Sequence, residues 1–234
     1  MRELRRHIGL QLNCLPFIGA RVLVMADEKT LQHTLDLARA DVVRGQANLA
    51  LGLLRTVQLE IDDLAGTSIW AEYQLIYAGA LAGMNDSGTG SAFEETLSRI
   101  SRLTEPSPEL EMRSHGDFGK YLAGKGWRTA ARKHYQLAER IAADLEQAEE
   151  VARFQMCIIL LDLEENDDPR LGSFQNLKQA AKGRYTAREQ HAAWIHYDDE
   201  IQDGGKQLVA ARKGSDASVE YFRGVLSEIR RNRE

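Results

Sequence analysis

The sequence predicts an all-α protein, a stack of antiparallel helical hairpins closed by a helical C-terminal cap. Three observations predict it. Apolar residues recur at steps of three and four along nearly the whole chain, and the alternation expected of strands is almost absent. Breaks between the periodic segments fall about 40 residues apart, at Gly45, near Asn85, at Gly126 and near Asp168. Two helices separated by so short a break must fold back on each other.

Residues 1–26 are read as a packed N-terminal segment. Its apolar run "IGLQLNCLPFIGA" is interrupted by Gln11 and Asn13, which argues against a signal peptide. The first hairpin runs from about 27 to 64, with Leu37, Ala38, Ala50, Leu54 and Val57 apolar or small at helical spacing and Gly45 at the turn. In the second, "SIWAEYQLIYAGALAGMND" offers Tyr77, Ala78 and Leu81, "NDSGTG" turns the chain, and "SAFEETLSRISRL" returns.

The third hairpin has the clearest pattern. "ELEMRSHGDFGKYLAG" brings Leu110, Phe118 and Leu122 to one side, and "WRTAARKHYQLAERIAADLEQ" carries Trp127, Ala130, Ala131, His134, Ala138, Ile141 and Leu145 on one face. In the fourth, "EEVARFQMCIILLDLEE" is apolar nearly all round, as expected of a helix flanked on both sides, with Val151, Phe154, Ile158 and Leu161 on one face. It should end at "NDDPRLG", because Asp168 before Pro169 is driven out of helical geometry. The hairpin array is thus 27–182. Residues 183–234, with the polar helix "TAREQHAAWIHYDDEIQDGG" and an amphipathic last segment bearing Val219, Phe222, Leu226 and Ile229, form the cap.

Composition narrows the function classes. With 43% apolar and 28% charged residues and four prolines in 234, the chain can bury a substantial core in one or two domains. A net charge of -5 argues against a nucleic-acid partner, and Arg2, Arg5, Arg6 and Arg230, Arg231, Arg233 are read as solvated chain ends. Cys14 and Cys157 sit among apolar neighbours, as reduced buried thiols do in a cytoplasmic protein. No stretch approaches the roughly 18 apolar residues of a membrane span.

Two motifs suggest chemistry. "GKYLAGKG" places Gly119, Gly124 and Lys125 as in a phosphate-binding loop. That loop follows a strand and needs Ser or Thr after its lysine. Here a helical pattern precedes it and Gly126 holds the Ser/Thr position, so the glycines are read as a helix cap and turn. "SGTGSAF" fails the dinucleotide pattern at Phe93, and Ser114 beside His115 would point away from it on a helix. No cofactor is expected. In "HYDDEIQD", His196, Asp199, Glu200 and Asp203 share a helix stripe with His191 a turn away, which keeps an all-helical metal-dependent enzyme as an alternative; an acidic solvated face explains the same residues. The Asp198-Asp199 pair is similar to the aspartate-rich helices of prenyl-transferring enzymes, but no second such motif faces it.

Phe118, Gly119, Leu122, Gly126, Ala131, Tyr135 and Ala138 stand at the spacings of a tetratricopeptide repeat (TPR), and the first hairpin repeats the spacings more weakly. The chain resembles that family over these segments, with hairpins longer than its 34-residue unit. The resemblance implies a right-handed α-solenoid whose first helices line a concave face that binds a protein or peptide, a non-catalytic scaffold or adaptor. Carried over by position, that face would present Gln32 and Arg39, then Glu72, then Arg113 and Lys120, then Arg153. Four cations in an acidic chain make an acidic segment or a C-terminal carboxylate the expected ligand. A ligand-sensing regulatory domain working with a separate effector is the other alternative, since the segment before Asp27 is too short for a helix-turn-helix. Homo-oligomerisation stays open.

Overall fold

The computed structural model describes residues 28–200, together with Gly224 and Arg231 beyond them. The expectations for residues 1–26, for Cys14, for Asp203 and for the final amphipathic segment lie outside the described residues. Nine helices and no strand occur within 28–200: α1 (Glu28–Val43), α2 (Ala47–Asp62), α3 (Ser68–Gly83), α4 (Thr89–Ile100), α5 (Pro108–Gly124), α6 (Arg128–Asp144), α7 (Ala148–Glu165), α8 (Leu171–Ala181) and α9 (Ala187–Glu200). None of these helices is long and apolar enough to cross a membrane.

Local chemistry sets the helix starts. Thr67 caps α3 by accepting from the Trp70 N–H, and Pro108 stands in the first turn of α5, where a missing N–H costs nothing. Thr186 and Glu189 form a capping box before α9: the Glu189 carboxylate accepts from the Thr186 N–H at 2.9 Å and the Thr186 hydroxyl accepts from the Glu189 N–H at 3.2 Å.

The stops of α1, α3, α5 and α6 share one geometry. At the end of α5, the Trp127 N–H donates to Leu122 C=O at 2.9 Å and the Gly126 N–H to Ala123 C=O at 2.9 Å, with Gly126 at φ +77°. The same pair of bonds closes α1 around Gly45, α3 around Asn85 and α6 around Glu146, while at the end of α7 Asp168 N–H reaches Leu163 C=O behind a left-handed Asp167. The glycines of "GKYLAGKG" therefore end one helix and turn into the next. Lys125 reaches sideways to the neighbouring turn, donating to Asn85 Oδ1 at 2.5 Å.

Adjacent helices pack in sequence order, and α1 also meets α3, α3 meets α5 and α7 meets α9. Helices α5 and α7 touch as well, because the Phe154 ring lies so close to Gly116 that a Cβ there would stand 2.7 Å from it. At Gly119 the close neighbour is the Tyr135 ring, 2.9 Å from where a Cβ would sit. One core runs from Leu31, Leu35 and Ala38 through Phe93, Phe118 and Ala131 to Phe154 and Leu161. A second, with Met156, Leu163, Phe174, Leu177 and Trp194, lies between α7, α8 and α9.

Two expected core residues face water. Trp127 is 58% exposed because α6 begins only at Arg128, which leaves the indole on the turn before the apolar stripe. Leu37 is 44% exposed; Leu31, Leu35 and Ala38 hold the buried side of α1, and residue 37 falls on its flank.

The turn geometry separates two neighbouring glycines. Gly126→Ala should cost about 1–2 kcal/mol, the penalty for placing a Cβ in the left-handed region. Gly124→Ala, at a helical position with open space around it, should be neutral or stabilise by up to about 1 kcal/mol. Denaturant midpoints of the two variants check this, and equal effects would contradict the assigned turn.

Candidate functional site

The residues at the expected face are brought together by two carboxylates. Glu72, on α3, is the first; its side chain is 13% exposed. It accepts from Gln32 Nε2 of α1 at 3.1 Å and from Arg113 Nη1 of α5 at 3.2 Å, and it forms an ion pair with Arg39 of α1. Gln32 stands 40 residues before Glu72 and Arg113 41 residues after it, one hairpin in each direction. Asp36, a turn from both Gln32 and Arg39, accepts from each at 3.3 Å. Arg39 is thus held at both Nη atoms, while its Nε is buried without a partner.

Asp117, on α5, is the second carboxylate. The residue is open to solvent, yet protein surrounds it so densely that desolvation pushes its carboxyl above the ordinary range, against the pull of Lys120, Arg113 and Arg153. Arg113 and Lys120 lie one turn away on either side of Asp117, and Arg153 approaches from α7. Lys120 is exposed and, among the described residues, makes no hydrogen bond or ion pair. Arg153, 57% exposed at its side chain, is paired with Glu150 on its own helix.

Gln32, Arg39, Glu72 and Arg113 are thus joined by hydrogen bonds and ion pairs, while Lys120 and Arg153 share with Arg113 only a through-space pull on Asp117. The halves differ. Around Glu72 the charges are matched and hydrogen-bonded: Arg39 pairs with both Glu72 and Asp36, and Arg113 pairs with Glu72. Around Asp117 the cations act through space. Sequence reasoning missed Asp117 itself, although its spacing from Arg113 and Lys120 put it on their stripe.

The acidic stripe near the chain's end is occupied differently. Asp198 pairs with Arg170, which also grips Asp168 through Nε at 2.9 Å and Nη2 at 2.7 Å and holds that carboxyl below its ordinary range. This ties α9 to the turn between α7 and α8 beside a cleft of about 230 Å³ floored by Ile159, Leu163 and Trp194. His196 and Asp199 are exposed, and among the described residues no group of three or more His, Cys, Asp or Glu side chains could hold a metal ion. Cys157 is a half-buried free thiol; burial and this thiol beside it push the Tyr135 phenol up.

Compared with known proteins, the chain matches no family model, no curated protein and no solved structure.

Glu72→Ala should lower stability by about 1–2 kcal/mol, since three donors lose their acceptor and two partly exposed guanidinium groups lose their counter-charge. Arg39→Ala added to it should cost less than the sum of the single changes. Additive denaturation energies in that double-mutant cycle would mean that the two side chains are not coupled.

Proposed function

We propose that the chain is a non-catalytic adaptor that binds a protein or peptide segment across the face shared by α1, α3, α5 and α7. On this reading the hairpins form a TPR-like array, their first helices line a concave surface, and the C-terminal helices cap it. The observation that carries the proposal is the contiguity of Gln32, Arg39, Glu72, Arg113, Lys120 and Arg153, six polar side chains from four helices. A set of polar groups repeated once per hairpin and left at the surface suits an extended ligand, because each hairpin offers one contact along its length.

The two halves divide the work. The Glu72 half holds neighbouring hairpins in register. The Asp117 half offers charge to a partner: Lys120 and Arg153 extend into solvent, and the carboxyl between them is one whose negative charge the surroundings disfavour. An acidic segment or a terminal carboxylate is the complementary ligand. Its binding should weaken as salt rises, since both cations are exposed.

The test begins with partners captured on the parent protein. Lys120→Glu combined with Arg153→Gln should reduce the affinity of the captured partner by about 1 kcal/mol or more, roughly fivefold or greater, while circular dichroism stays unchanged. A partner retained equally by both proteins docks elsewhere and removes this assignment.

A further inference from the structure

We propose that His115 and His134 form a proton-operated latch between α5 and α6. Their Nδ1 atoms stand 2.9 Å apart, and the ring centroids are separated by 5.1 Å. His115 is 8% exposed, and the His134 ring lies 4.5 Å from that of Phe118. The pair thus crosses from one helix of the third hairpin to the other within its core.

Two neutral imidazoles satisfy this contact with one hydrogen. One ring carries it on Nδ1 and donates; the other accepts with its Nδ1 lone pair and keeps its own hydrogen on Nε2. A first added proton goes to the free Nε2 of the donor ring, and the bond between the rings survives. If the donor is His115, that new N–H faces Glu111 Oε1, 4.0 Å away. A second proton can only enter at the acceptor's Nδ1. Two N–H groups then oppose each other across 2.9 Å, the hydrogen bond is gone, and two positive charges share a partly buried site. The latch holds with no added proton or one and opens with two.

Few charges can offset this. Among the described residues, Glu111 on α5 itself is the one carboxylate within ion-pair distance of either ring. Nearby on α5, Gly116 and Phe118 receive aromatic rings from neighbouring helices, Phe154 of α7 at the former and Phe93 of α4 at the latter, and Glu72 of α3 is engaged with Arg39 and Arg113. Burial holds both imidazoles below the ordinary value of 6.5, and each ring's charge would lower the other further. The folded state therefore binds fewer protons than the unfolded chain as pH falls below 6.5, and stability is lost in that direction. Because α5 also carries Arg113, Asp117 and Lys120, opening the latch would disturb the proposed binding face, but the latch itself does not depend on that reading.

The test is the guanidinium midpoint of the parent protein and of His134→Asn between about pH 5 and pH 8. The parent midpoint should be level above about pH 7 and fall below pH 6.5. The variant keeps an amide opposite His115 and cannot take the second charge, so at least half of that fall should vanish; His191, also held low by burial, accounts for a remainder, and the raised carboxyl of Asp117 works in the opposite direction in both proteins. An equal fall in the two proteins overturns the latch. Should His134→Asn not fold, NMR titration of the parent imidazoles decides the matter. Two protonation steps below 6.5, separated by about one pH unit or more, are expected of a coupled pair. Two independent titrations at the ordinary histidine value would overturn the proposal.

Discussion

The constraint on which the molecule depends is the closure of its helices by residues in left-handed conformation. Gly45, Asn85, Gly126 and Asp167 each take positive φ just past a helix end, 40 or so residues apart. Each places an N–H back over the last turn, which satisfies carbonyls that would otherwise be orphaned and reverses the chain within about three residues. With the reversals fixed at that interval, residues 40 or 41 apart in sequence stand beside one another on the first helices of successive hairpins. Gln32, Glu72 and Arg113 meet for this reason, and so do Asn85 and Lys125 at the turns themselves.

That register makes Glu72 more than a surface charge. Arg39 and Arg113 come from helices on either side of α3 and would repel each other across it; a carboxylate between them converts the repulsion into two attractions. Its low exposure strengthens both, since less solvent screens the pairs, while the larger exposure of the guanidinium groups limits the desolvation cost. At Asp117 the same logic is incomplete. Lys120, Arg113 and Arg153 pull on its carboxyl through space, but desolvation outweighs them.

How much of this the sequence disclosed follows from which signals are local. Helix periodicity is local, and every one of the hairpin segments within 28–200 appears as a pair of helices. A turn carried by glycine is visible too, as at Gly45 and Gly126, but the left-handed Asn85, Glu146 and Asp167 have no such marker. Trp127 misled because an apolar residue one step outside a helix continues its pattern without sharing its burial. The contents of the site were legible as a set of positions one hairpin apart. Their charge balance was not, because whether Glu72 stands free or between two arginines depends on contacts between helices 40 residues apart. His115 and His134 lie beyond reach for the same reason: one sits beside Ser114 in a motif without catalytic geometry, the other on an apolar stripe, and only packing puts them 2.9 Å apart.

Helix α7 buries residues on two sides, and its role follows from them. Phe154 and Leu161 enter the larger core, where the Phe154 ring fills the space left by Gly116; Met156 and Leu163 enter the smaller one with Phe174 and Trp194. Among the described residues, no other helix supplies buried residues to both cores. Anything that loosens α7 therefore loosens α9 and the Arg170–Asp198 pair with it, and shifts Arg153 relative to Asp117. The Asp117 half of the polar set and the C-terminal helices thus share one helix, whereas the Glu72 half rests on α1, α3 and α5 and meets α7 through α5 alone, where Phe154 packs on Gly116.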